Sequence, residues 1–543
     1  MEYRSDIDDM VKSAKDDFEK GLAEAGELQK KSKFLEARNS ALELEKILDR
    51  TNDLSNYFKI VSFLINCGYL SDAERICLKV LDKTNECCVL SLALKETALY
   101  DLALISGACA SHNLALKLAS ELINLFPDIQ YLWNFKIVCM TYEQSQKNNR
   151  ELTEKWAEKF LTVPHKPRPR AKPFHDRPLK IGYVSADFKL HPVGFFVHGV
   201  LPEHDSKRVQ VFAYNSAEES ENDPLTKIVQ SNCIYRDVSK LDDEQLEKQI
   251  REDEIDVLVD LSGHTQGTRI SCFAREPAPV LVSWLGYWAT TGLACMDAVI
   301  LDRWHAPEGT EEYFTEEIYR LPVARFCYQP LSEYPEERKD LPCFDHGYVT
   351  FGSFNNTSKF TTELFDAWAQ ILKRVDGSHL LFKWKNFHDP VFCERIARSF
   401  ERRGIERNRL EMRGWSTLNE MFAEISDVDI VLDTFPFSGG ITTCNVLWMG
   451  VPLVSLRGET VVSRQGYAIL SQLDLEDLVG NSIDHYINIA VGLAKNLPLL
   501  ILLRSTLRAR MRASSLLDTK SFTKHLEKAF YDIYEKKLCH NQF

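Results

Sequence analysis

The sequence DTFPFSGGITTCNVLWMGVP, residues 433–452, carries the clearest strand–turn–helix signal of this chain. Mostly apolar, β-branched residues at 428–432 come directly before it and predict a buried parallel strand. Residues 442–449, which follow a glycine pair, predict a helix. The stretch therefore predicts a strand, a glycine turn and a helix in direct succession.

The turn carries residues that suit an anion. Gly439 and Gly440 are expected to take positive φ and to let the backbone come close to a ligand. Thr442 and Thr443 offer hydroxyl groups at a helix start, where free N–H groups bind phosphates. An ordinary strand-to-helix turn capped by a threonine is the alternative. The motif alone does not distinguish an anion site from an ordinary turn, so the rest of the sequence is needed.

Apolar strands separated by helical stretches continue on both sides of this motif. The predicted strands are 179–185, 209–215, 255–261, 280–285, 298–301, 348–354, 380–384, 410–413 and 452–456. Such alternation predicts parallel sheets with helices on both faces. Two doubly wound, Rossmann-like domains in tandem are expected to face each other across a cleft at the carboxyl ends of their strands.

The N-terminal third has a different pattern. Similar helix ends recur at 47–49, 80–82 and 122–124, and this spacing suits stacked helix pairs of the tetratricopeptide kind, with a plain helical bundle as the alternative. Prolines interleaved with Lys and Arg then break the helical pattern. The predicted segments are a helical domain at 1–162, a Pro-rich basic linker at 163–178, Rossmann-like halves at 179–340 and 341–515, and a C-terminal helix at 516–543.

Composition excludes several classes of protein. The 543 residues are 44% hydrophobic and carry a net charge of −13, which argues against nucleic acid as the main partner. No run of 18 apolar residues exists, so no membrane span is expected. The 14 cysteines show no C-x-x-C spacing, which fits a reduced, cytoplasmic protein. Dinucleotide, P-loop and nucleophile-elbow motifs are absent.

Polar and small residues follow several of the predicted strands. Asp187 and His191 come after the first strand, where a carboxylate can orient a histidine for proton transfer. His264 follows a further strand and is expected to be a residue of the cleft wall or of a turn. Gly286 follows the next strand, in a rim of small residues at the cleft. Lys359 follows the first strand of the second half, where an ammonium group can reach a diphosphate. For His191 an ordinary surface-loop histidine is the alternative.

One acidic pair could suggest a metal site. Asp427 and Asp429 form an Asp-x-Asp sequence at the start of a predicted strand. That end of a strand faces away from the expected cleft, so surface or helix-end carboxylates are favoured. No metal site is expected.

Four spaced motifs resemble the protein O-GlcNAc transferase family, including its bacterial and SPINDLY-like members. They are IGYVSADF with HP at 181–192, PAP with WLGY at 277–287, FNN-x-x-K at 354–359, and LDTFP with GG-x-TT at 432–443. The resemblance implies a GT-B fold behind an N-terminal tetratricopeptide region. It also implies inverting, metal-independent transfer of a sugar, in the first place N-acetylglucosamine from UDP-GlcNAc, to Ser or Thr of a protein, with no cofactor.

The resemblance also implies roles for individual residues. Asp187 and His191 match the family's proton acceptor and orienting group. The residues expected to bind the nucleotide sugar are Lys359, Asn356, Gly439, Gly440, Thr442, Thr443, Asn445, Gly286 and His264. The helical domain is expected to guide the acceptor protein.

Three positions depart from the family pattern. Asn445 stands where many members have an acidic residue that binds the ribose, and it adds no charge. Met421 replaces a histidine that packs on uracil, and Leu418 replaces a basic residue. Transfer of fucose from GDP-fucose, or of glucose, therefore stays open. Asn stays open as an acceptor residue as well. A scaffold that binds nucleotide without turnover is the third hypothesis.

Overall fold

The computed structural model describes residues 2–51, 54–84, 91–161, 166–174, 177–217, 223–331 and 335–540. Part of the predicted linker, including Pro164, lies outside these residues. The described linker residues 166–174 form neither helix nor strand. The chain forms two compact units, each made of two stretches of sequence: Met1–Leu132 with Leu341–Leu432, and Trp133–Asp340 with Asp433–Phe543.

The N-terminal region is helical, as predicted. Its helices are α1 (Glu2–Lys30), α2 (Phe34–Thr51), α3 (Tyr57–Cys67), α4 (Leu70–Thr84), α5 (Ser91–Ala108), α6 (His112–Leu125), α7 (Gln130–Cys139) and α8 (Gln146–Phe160). From α1 to α6, each helix packs on the next. Gly68 ends α3 with a left-handed φ of 88°, which reverses the chain into α4.

The first sheet follows. Its strands are β1 (Leu179–Ser185), β2 (Val209–Asn215), β3 (Ile234–Asp237), β4 (Val257–Asp260), β5 (Val280–Trp284), β6 (Ala298–Asp302) and β7 (Glu317–Leu321). The strand order is β3-β2-β1-β4-β5-β6-β7, and every pair is parallel. Four helices lie between these strands: α9 (Pro192–Val197), α10 (Pro224–Asn232), α11 (Asp243–Glu252) and α12 (Ile270–Phe273). β1, β4 and β5 are neighbours, so the loops that follow them share one edge.

The second series of strands is β8 (Thr350–Ser353), β9 (His379–Lys383), β10 (Leu410–Arg413), β11 (Ile430–Leu432), β12 (Leu453–Leu456) and β13 (Val479–Gly480). Its helices are α13 (Cys343–His346), α14 (Thr362–Arg374), α15 (Pro390–Glu401), α16 (Leu418–Ile425), α17 (Ile441–Trp448), α18 (Gln465–Ser471), α19 (Ile483–Ala494), α20 (Leu497–Ala513) and α21 (Thr519–His540). Strands β10, β9, β8 and β11 are parallel neighbours in one unit, and β12 pairs with β13 in the other.

In the first unit, the helical region is bound to the segment that contains β8 to β11. Asp389 joins the two parts because one carboxylate oxygen accepts hydrogen bonds from Ser71 N (2.7 Å) and Ser71 Oγ (2.6 Å). Its other oxygen caps α15 at Val391 N (2.9 Å). A single buried carboxylate thus satisfies the N-terminal turns of two helices, α4 and α15.

In the second unit, helix α21 crosses the first sheet. His204 Nδ1 lies 3.0 Å from Glu527 Oε1, and both side chains are buried. The Tyr534 hydroxyl donates to Asp256 Oδ1 at 3.0 Å. The C-terminal helix is therefore a structural part of the unit that holds β1 to β7.

Among the described residues, no single helix has both the length and the apolar character to cross a membrane. The consecutive helices α19 and α20, bent by 93°, pass that test only as a pair and only by length and composition.

Candidate functional site

The loop between β11 and α17 is held by one buried carboxylate. Asp433 Oδ1 accepts hydrogen bonds from Thr434 N (2.9 Å) and Gly439 N (2.8 Å). Its Oδ2 accepts from Ser455 Oγ (2.7 Å) at the end of β12. Because the carboxylate closes the loop from within, the glycine pair is presented in a fixed place.

A second loop braces the same turn. Ser438 donates from its N and its Oγ to the carbonyl oxygen of Val462, at 3.3 and 2.9 Å. Gln465 Nε2 donates to Ser438 O at 3.3 Å. Nothing in the sequence near residue 438 indicates these partners, because they come from a segment more than 20 residues away.

The glycine pair does not have the predicted backbone. Neither Gly439 nor Gly440 takes positive φ, and Gly440 has φ −108° and ψ −93°. The expectation of positive φ was wrong because Asp433 and Ser438, rather than a left-handed turn, reverse the chain. A Cβ at Gly440 would meet Gln465 Oε1 at 3.5 Å, an ordinary contact distance, so the backbone at Gly440 is not crowded by its neighbours. A ligand can approach the backbone there.

Helix α17 starts directly after Gly440. Gly440 is its N-cap residue, and no side chain caps the first N–H groups. The buried Thr443 Oγ1 has no hydrogen-bond partner in the described part of the chain. Uncapped N–H groups and an unpaired hydroxyl at a helix start are what a phosphate oxygen needs.

Asn445 lies one turn further along α17. Its Oδ1 accepts a hydrogen bond from the Tyr328 hydroxyl at 2.9 Å, and the residue is only 5% exposed. The side chain predicted to bind ribose thus contacts the protein itself. Tyr328 was not singled out from the sequence, since a lone tyrosine so far from the motif gives no signal.

The loop after β1 carries the predicted proton-transfer pair. His191 Nδ1 lies 3.4 Å from Asp187 Oδ2 and 3.4 Å from Val193 N. The His191 side chain is 42% exposed, whereas that of Asp187 is 13% exposed. Helix α9, which His191 caps, packs against α17, so the structure brings the pair to the helix that follows the glycines.

Burial perturbs both members of this pair. It raises the pKa of Asp187 above its usual range, and the charges of His191 and Lys189 oppose that shift. It lowers the pKa of His191 below its ordinary value, although the Asp187 carboxylate acts in the opposite direction. A neutral imidazole near pH 7 follows, which can accept a proton.

His264, in the loop after β4, lies away from solvent. It is 1% exposed and packs edge-on against Trp156, with ring centroids 4.6 Å apart. Its Nε2 donates to Thr291 O at 2.8 Å, and burial lowers its pKa to about 4. The structure places this histidine in the core instead of at an open edge.

Gly286, in the loop after β5, faces the protein backbone. A Cβ at this position would come within 1.6 Å of Leu261 O. The glycine is therefore required for the β5 loop to pass the end of β4. Gly286 was predicted as part of a small-residue rim, and the group that it lies against is a carbonyl of the chain.

Two further predicted residues belong to the other unit. Lys359 Nζ donates to Asn355 Oδ1 at 3.2 Å. Asn356 Oδ1 accepts from Ser358 N at 3.0 Å and so caps the short helical turn Thr357–Lys359. These contacts hold the lysine at the carboxyl end of β8.

The acidic pair before β11 supports the backbone. Asp429 is fully buried and accepts hydrogen bonds from Thr350 N (2.8 Å) and Cys343 N (3.1 Å). Asp427 pairs with Arg413 at 2.6 Å. Across the described residues, no group of three or more His, Cys, Asp or Glu could hold a metal ion. Leu418 and Met421 lie half-buried on α16.

The chain matches the profile of the family described as Glycosyl transferase family 41, over residues 139–330 and 337–526. It is similar to two plant proteins, each named "Probable UDP-N-acetylglucosamine--peptide N-acetylglucosaminyltransferase SPINDLY". The protein from Solanum lycopersicum is 33% identical over 421 residues, which are 76% of this chain and 45% of that protein. The protein from Arabidopsis thaliana is 35% identical over 368 residues, 67% of this chain and 40% of that protein. The chain thus spans less than half the length of these relatives.

One solved structure is similar over nearly the whole length. It is a mutant of the O-GlcNAc transferase of Thermobaculum terrenum, with a TM-score of 0.84, 29% identity, and coverage of 97% of this chain and 99% of that one. The similarity confirms the predicted fold, in which a helical region precedes two Rossmann-like domains of the GT-B type.

Proposed function

The chain belongs to glycosyl transferase family 41, and from that premise we propose that it transfers a sugar from a nucleotide diphosphate to a hydroxyl group of a protein. The donor we propose first is UDP-GlcNAc, which the names of the plant relatives contain. The reaction inverts the anomeric carbon and uses neither a metal ion nor a cofactor. Serine and threonine are the proposed acceptors.

The observation that carries this proposal is the start of α17. The uncrowded backbone at Gly440, the uncapped helix N–H groups and the unpaired Thr443 hydroxyl are proposed to form an anion site next to the helix that His191 caps. A departing diphosphate develops negative charge, and prepositioned N–H groups stabilise that charge in the transition state. Lys359 is proposed to add a cationic contact to the diphosphate.

Proton transfer is assigned to the loop after β1. When an acceptor hydroxyl attacks the anomeric carbon, its proton passes to His191 Nε2. Nε2 is free to accept it only in the tautomer whose proton lies on Nδ1; there Nδ1 faces Asp187 Oδ2, 3.4 Å away, and gives up the hydrogen bond that it otherwise accepts from Val193 N. Asp187 therefore orients the ring and stabilises the imidazolium that forms.

A different donor is the second candidate. Asn445 Oδ1 accepts a hydrogen bond from the Tyr328 hydroxyl. A ribose hydroxyl would therefore be recognised differently by this residue than by a carboxylate without such a partner. This observation favours a test of GDP-fucose and UDP-glucose beside UDP-GlcNAc, and of Asn acceptors. A nucleotide-binding scaffold without turnover is the alternative from another class.

The helical region is proposed to guide the protein acceptor. It exposes apolar side chains, among them Leu35 (61% exposed) and Leu114 (48% exposed), which suit contact with another protein. Replacing either by Asp should lower transfer to a folded protein more than hydrolysis of the donor. We place the protein in the cytoplasm, because all twelve described cysteines are free thiols.

A donor screen tests the proposal. Each nucleotide sugar is offered in EDTA, and binding is read by thermal shift, turnover by nucleotide release and transfer by mass spectrometry of an acceptor peptide mixture. Lys359→Ala should abolish turnover and weaken donor binding by roughly 2–5 kcal/mol, the usual cost of removing one member of a close charge pair. Lys373→Ala, on the exposed face of α14, is the control and should change neither. Binding without release or transfer for every donor would support the scaffold instead.

A further inference from the structure

Three arginines lie together in the second unit, at the carboxyl ends of β6 and β12, and interleave with two aromatic rings. Arg303 directly follows β6, and its guanidinium carbon lies 4.4 Å from the ring centroid of Trp304. In the loop after β12, the guanidinium carbons of Arg457 and Arg464 each lie 5.3 Å from the ring centroid of Tyr467. Arg464 Nε donates to Trp304 O and so joins the two loops. We call these five residues the arginine surface.

The charge of the arginine surface is not neutralised by the protein. Within the described part of the chain, none of its three guanidinium groups forms an ion pair with a carboxylate. Elsewhere in the same unit, arginines do pair, as Arg177 with Asp256 at 2.5 Å and Arg236 with Asp253 at 2.9 Å. The formal net charge of the whole chain is −13. A positive surface on so acidic a protein attracts anions to one place.

Arg464 is the buried member of this surface. Only 9% of the residue is exposed, and its hydrogen bonds go to two carbonyl oxygens, those of Trp304 and of Gly458 (3.0 Å). These bonds use Nε and Nη1, and Nη2 has no hydrogen-bond partner among the residues that the structure describes. A buried cation that has lost hydration without gaining a counter-charge is stabilised by an anion brought to it.

The charges around Arg464 increase this need. Burial lowers the pKa of Arg464, and the like charge of Arg457 lowers it further, whereas Tyr467, Glu459 and Asp302 act in the opposite direction. The Asp302 carboxylate is fully buried and accepts hydrogen bonds from His305 Nδ1 (2.7 Å) and the backbone. Glu459 is exposed. An added anion between the two arginines would relieve their repulsion.

The arginine surface adjoins the glycine motif. Ser438 Oγ donates to Val462 O at 2.9 Å, and Gln465 Nε2 donates to Ser438 O at 3.3 Å. Arg464 lies between these two bracing residues in the sequence. Because β6 and β1 are parallel strands of one sheet, Arg303 also shares an edge with the loop of His191. A segment that reaches the candidate site can therefore pass over the arginine surface.

We propose that the arginine surface binds acidic side chains, Asp or Glu, of the acceptor protein close to its sugar-accepting residue. Guanidinium groups bind carboxylates through paired hydrogen bonds, and the rings of Trp304 and Tyr467 can pack on the same segment. Three cations spread over two loops suit an extended segment better than a compact diphosphate. The inference rests on the proposed function, because it needs an acceptor segment at the glycine motif. It adds an electrostatic criterion by which acceptors are selected.

Charge reversal tests the assignment. Arg303→Glu, Arg457→Glu and the double variant change exposed residues and leave the buried Arg464 in place. Arg170→Glu, exposed in the linker of the same unit, is the matched control. Each protein receives the nucleotide sugar and a positional-scanning peptide library built around a fixed Ser or Thr, and transfer is divided by that protein's own rate of donor hydrolysis. Donor affinity is titrated separately, and the same library is read for binding with and without UDP.

The unmutated protein and Arg170→Glu should prefer Asp and Glu over Lys and Arg by about fivefold or more at one or more positions, and salt should weaken this preference. Each single variant at the surface should reduce it. The double variant should reverse it toward Lys and Arg, a gain that loss of folding cannot produce, with donor affinity within about twofold.

Two results would overturn the inference. Profiles that are the same in all five proteins would mean that the arginines are only solvated. A loss of donor affinity in the double variant as large as its loss of transfer would assign the surface to the diphosphate. A preference for acidic peptides in binding, without transfer from any donor, would contradict the proposed function while supporting the arginine surface.

Discussion

The loops after β1 and β4 are neighbours at one edge of the same sheet, yet they use the same residue types in opposite ways. Each has a histidine and an aspartate within four residues of one another. Asp260, the last residue of β4, accepts hydrogen bonds from Ser262 N (3.1 Å) and Gly263 N (2.8 Å), and His264 in the loop that follows is buried. In the loop after β1, Asp187 faces a His191 whose side chain is 42% exposed.

The difference separates a histidine that the fold encloses from one whose side chain is exposed. His264 donates to a backbone carbonyl and packs between Trp156 and Tyr287, and its Nδ1 is buried without a hydrogen-bond partner among the described residues. His191 has two contacts of 3.4 Å and an open side, so a substrate can complete its environment. A histidine that follows a strand is thus a candidate for catalysis only when its second nitrogen can reach solvent.

The largest effect is expected from removing His264. His264→Ala would leave a cavity between two aromatic rings and take away the donor to Thr291 O, so the free energy of unfolding should fall by about 3–5 kcal/mol. His264→Gln keeps an N–H donor and most of the volume and should cost clearly less. Urea unfolding of both variants measures this. Equal stability of all three proteins would mean that the loop after β4 is not built around this ring.

A pH titration of stability sharpens the same point. The pKa of His264 is about 4 in the folded chain, below the ordinary value of 6.5. The unfolded chain therefore binds the proton more tightly, and stability present above pH 6.5 is lost as the pH falls toward 4. The loss from this group should approach about 3 kcal/mol. Urea unfolding at several pH values should show a shallower loss for His264→Gln than for the unmutated protein. Parallel curves would contradict the assignment.

Much of the fold could be predicted because apolar periodicity reports burial. The bounds of β1, β2 and β10 agree with prediction residue for residue. The strands that were missed, β3, β7 and β13, are edge strands, and β3 and β7 are largely half-exposed. Edge strands bury too little apolar surface to give a run that differs from a loop.

A candidate site could be predicted from the sequence, but its internal bonds could not. Glycines after a strand predicted an anion site there, while Ser455, Val462 and Gln465, which contact this turn, come from distant segments. Local sequence also gave no sign that His264 would be buried, because strand ends specify an edge of the sheet and not the depth of a side chain. Long-range packing decides both.

Removing His191 tests the other side of the comparison. His191→Ala should lower transfer by about 10²-fold, the usual worth of a general base. The free energy of unfolding should fall by no more than about 2 kcal/mol, the upper cost of losing a helix N-cap, and donor affinity should stay within a few-fold. Transfer kinetics, urea unfolding and nucleotide titration measure the three quantities. A stability loss as large as that of His264→Ala would remove the distinction between the two histidines.

The smallest and sharpest effect concerns the acid limb of the pH profile. The pKa of His191 lies below its ordinary 6.5, so the base form persists below that pH. Transfer by the unmutated protein should stay level from pH 8 to about 6.5 and fall only in more acidic buffer.

Asp187→Asn then separates the roles of the two residues. The carboxylate raises the pKa of His191, so its removal should shift the acid limb to lower pH. The level part of the profile should drop as well, because the imidazole loses the group that orients it. If Asp187 were itself the base, the acid limb would belong to its own titration and would vanish in the variant, while His191→Gln would retain most of the rate. An acid limb of the pH profile that neither shifts nor disappears would exclude both residues as the general base. Another group at the start of α17 would then have to be tested.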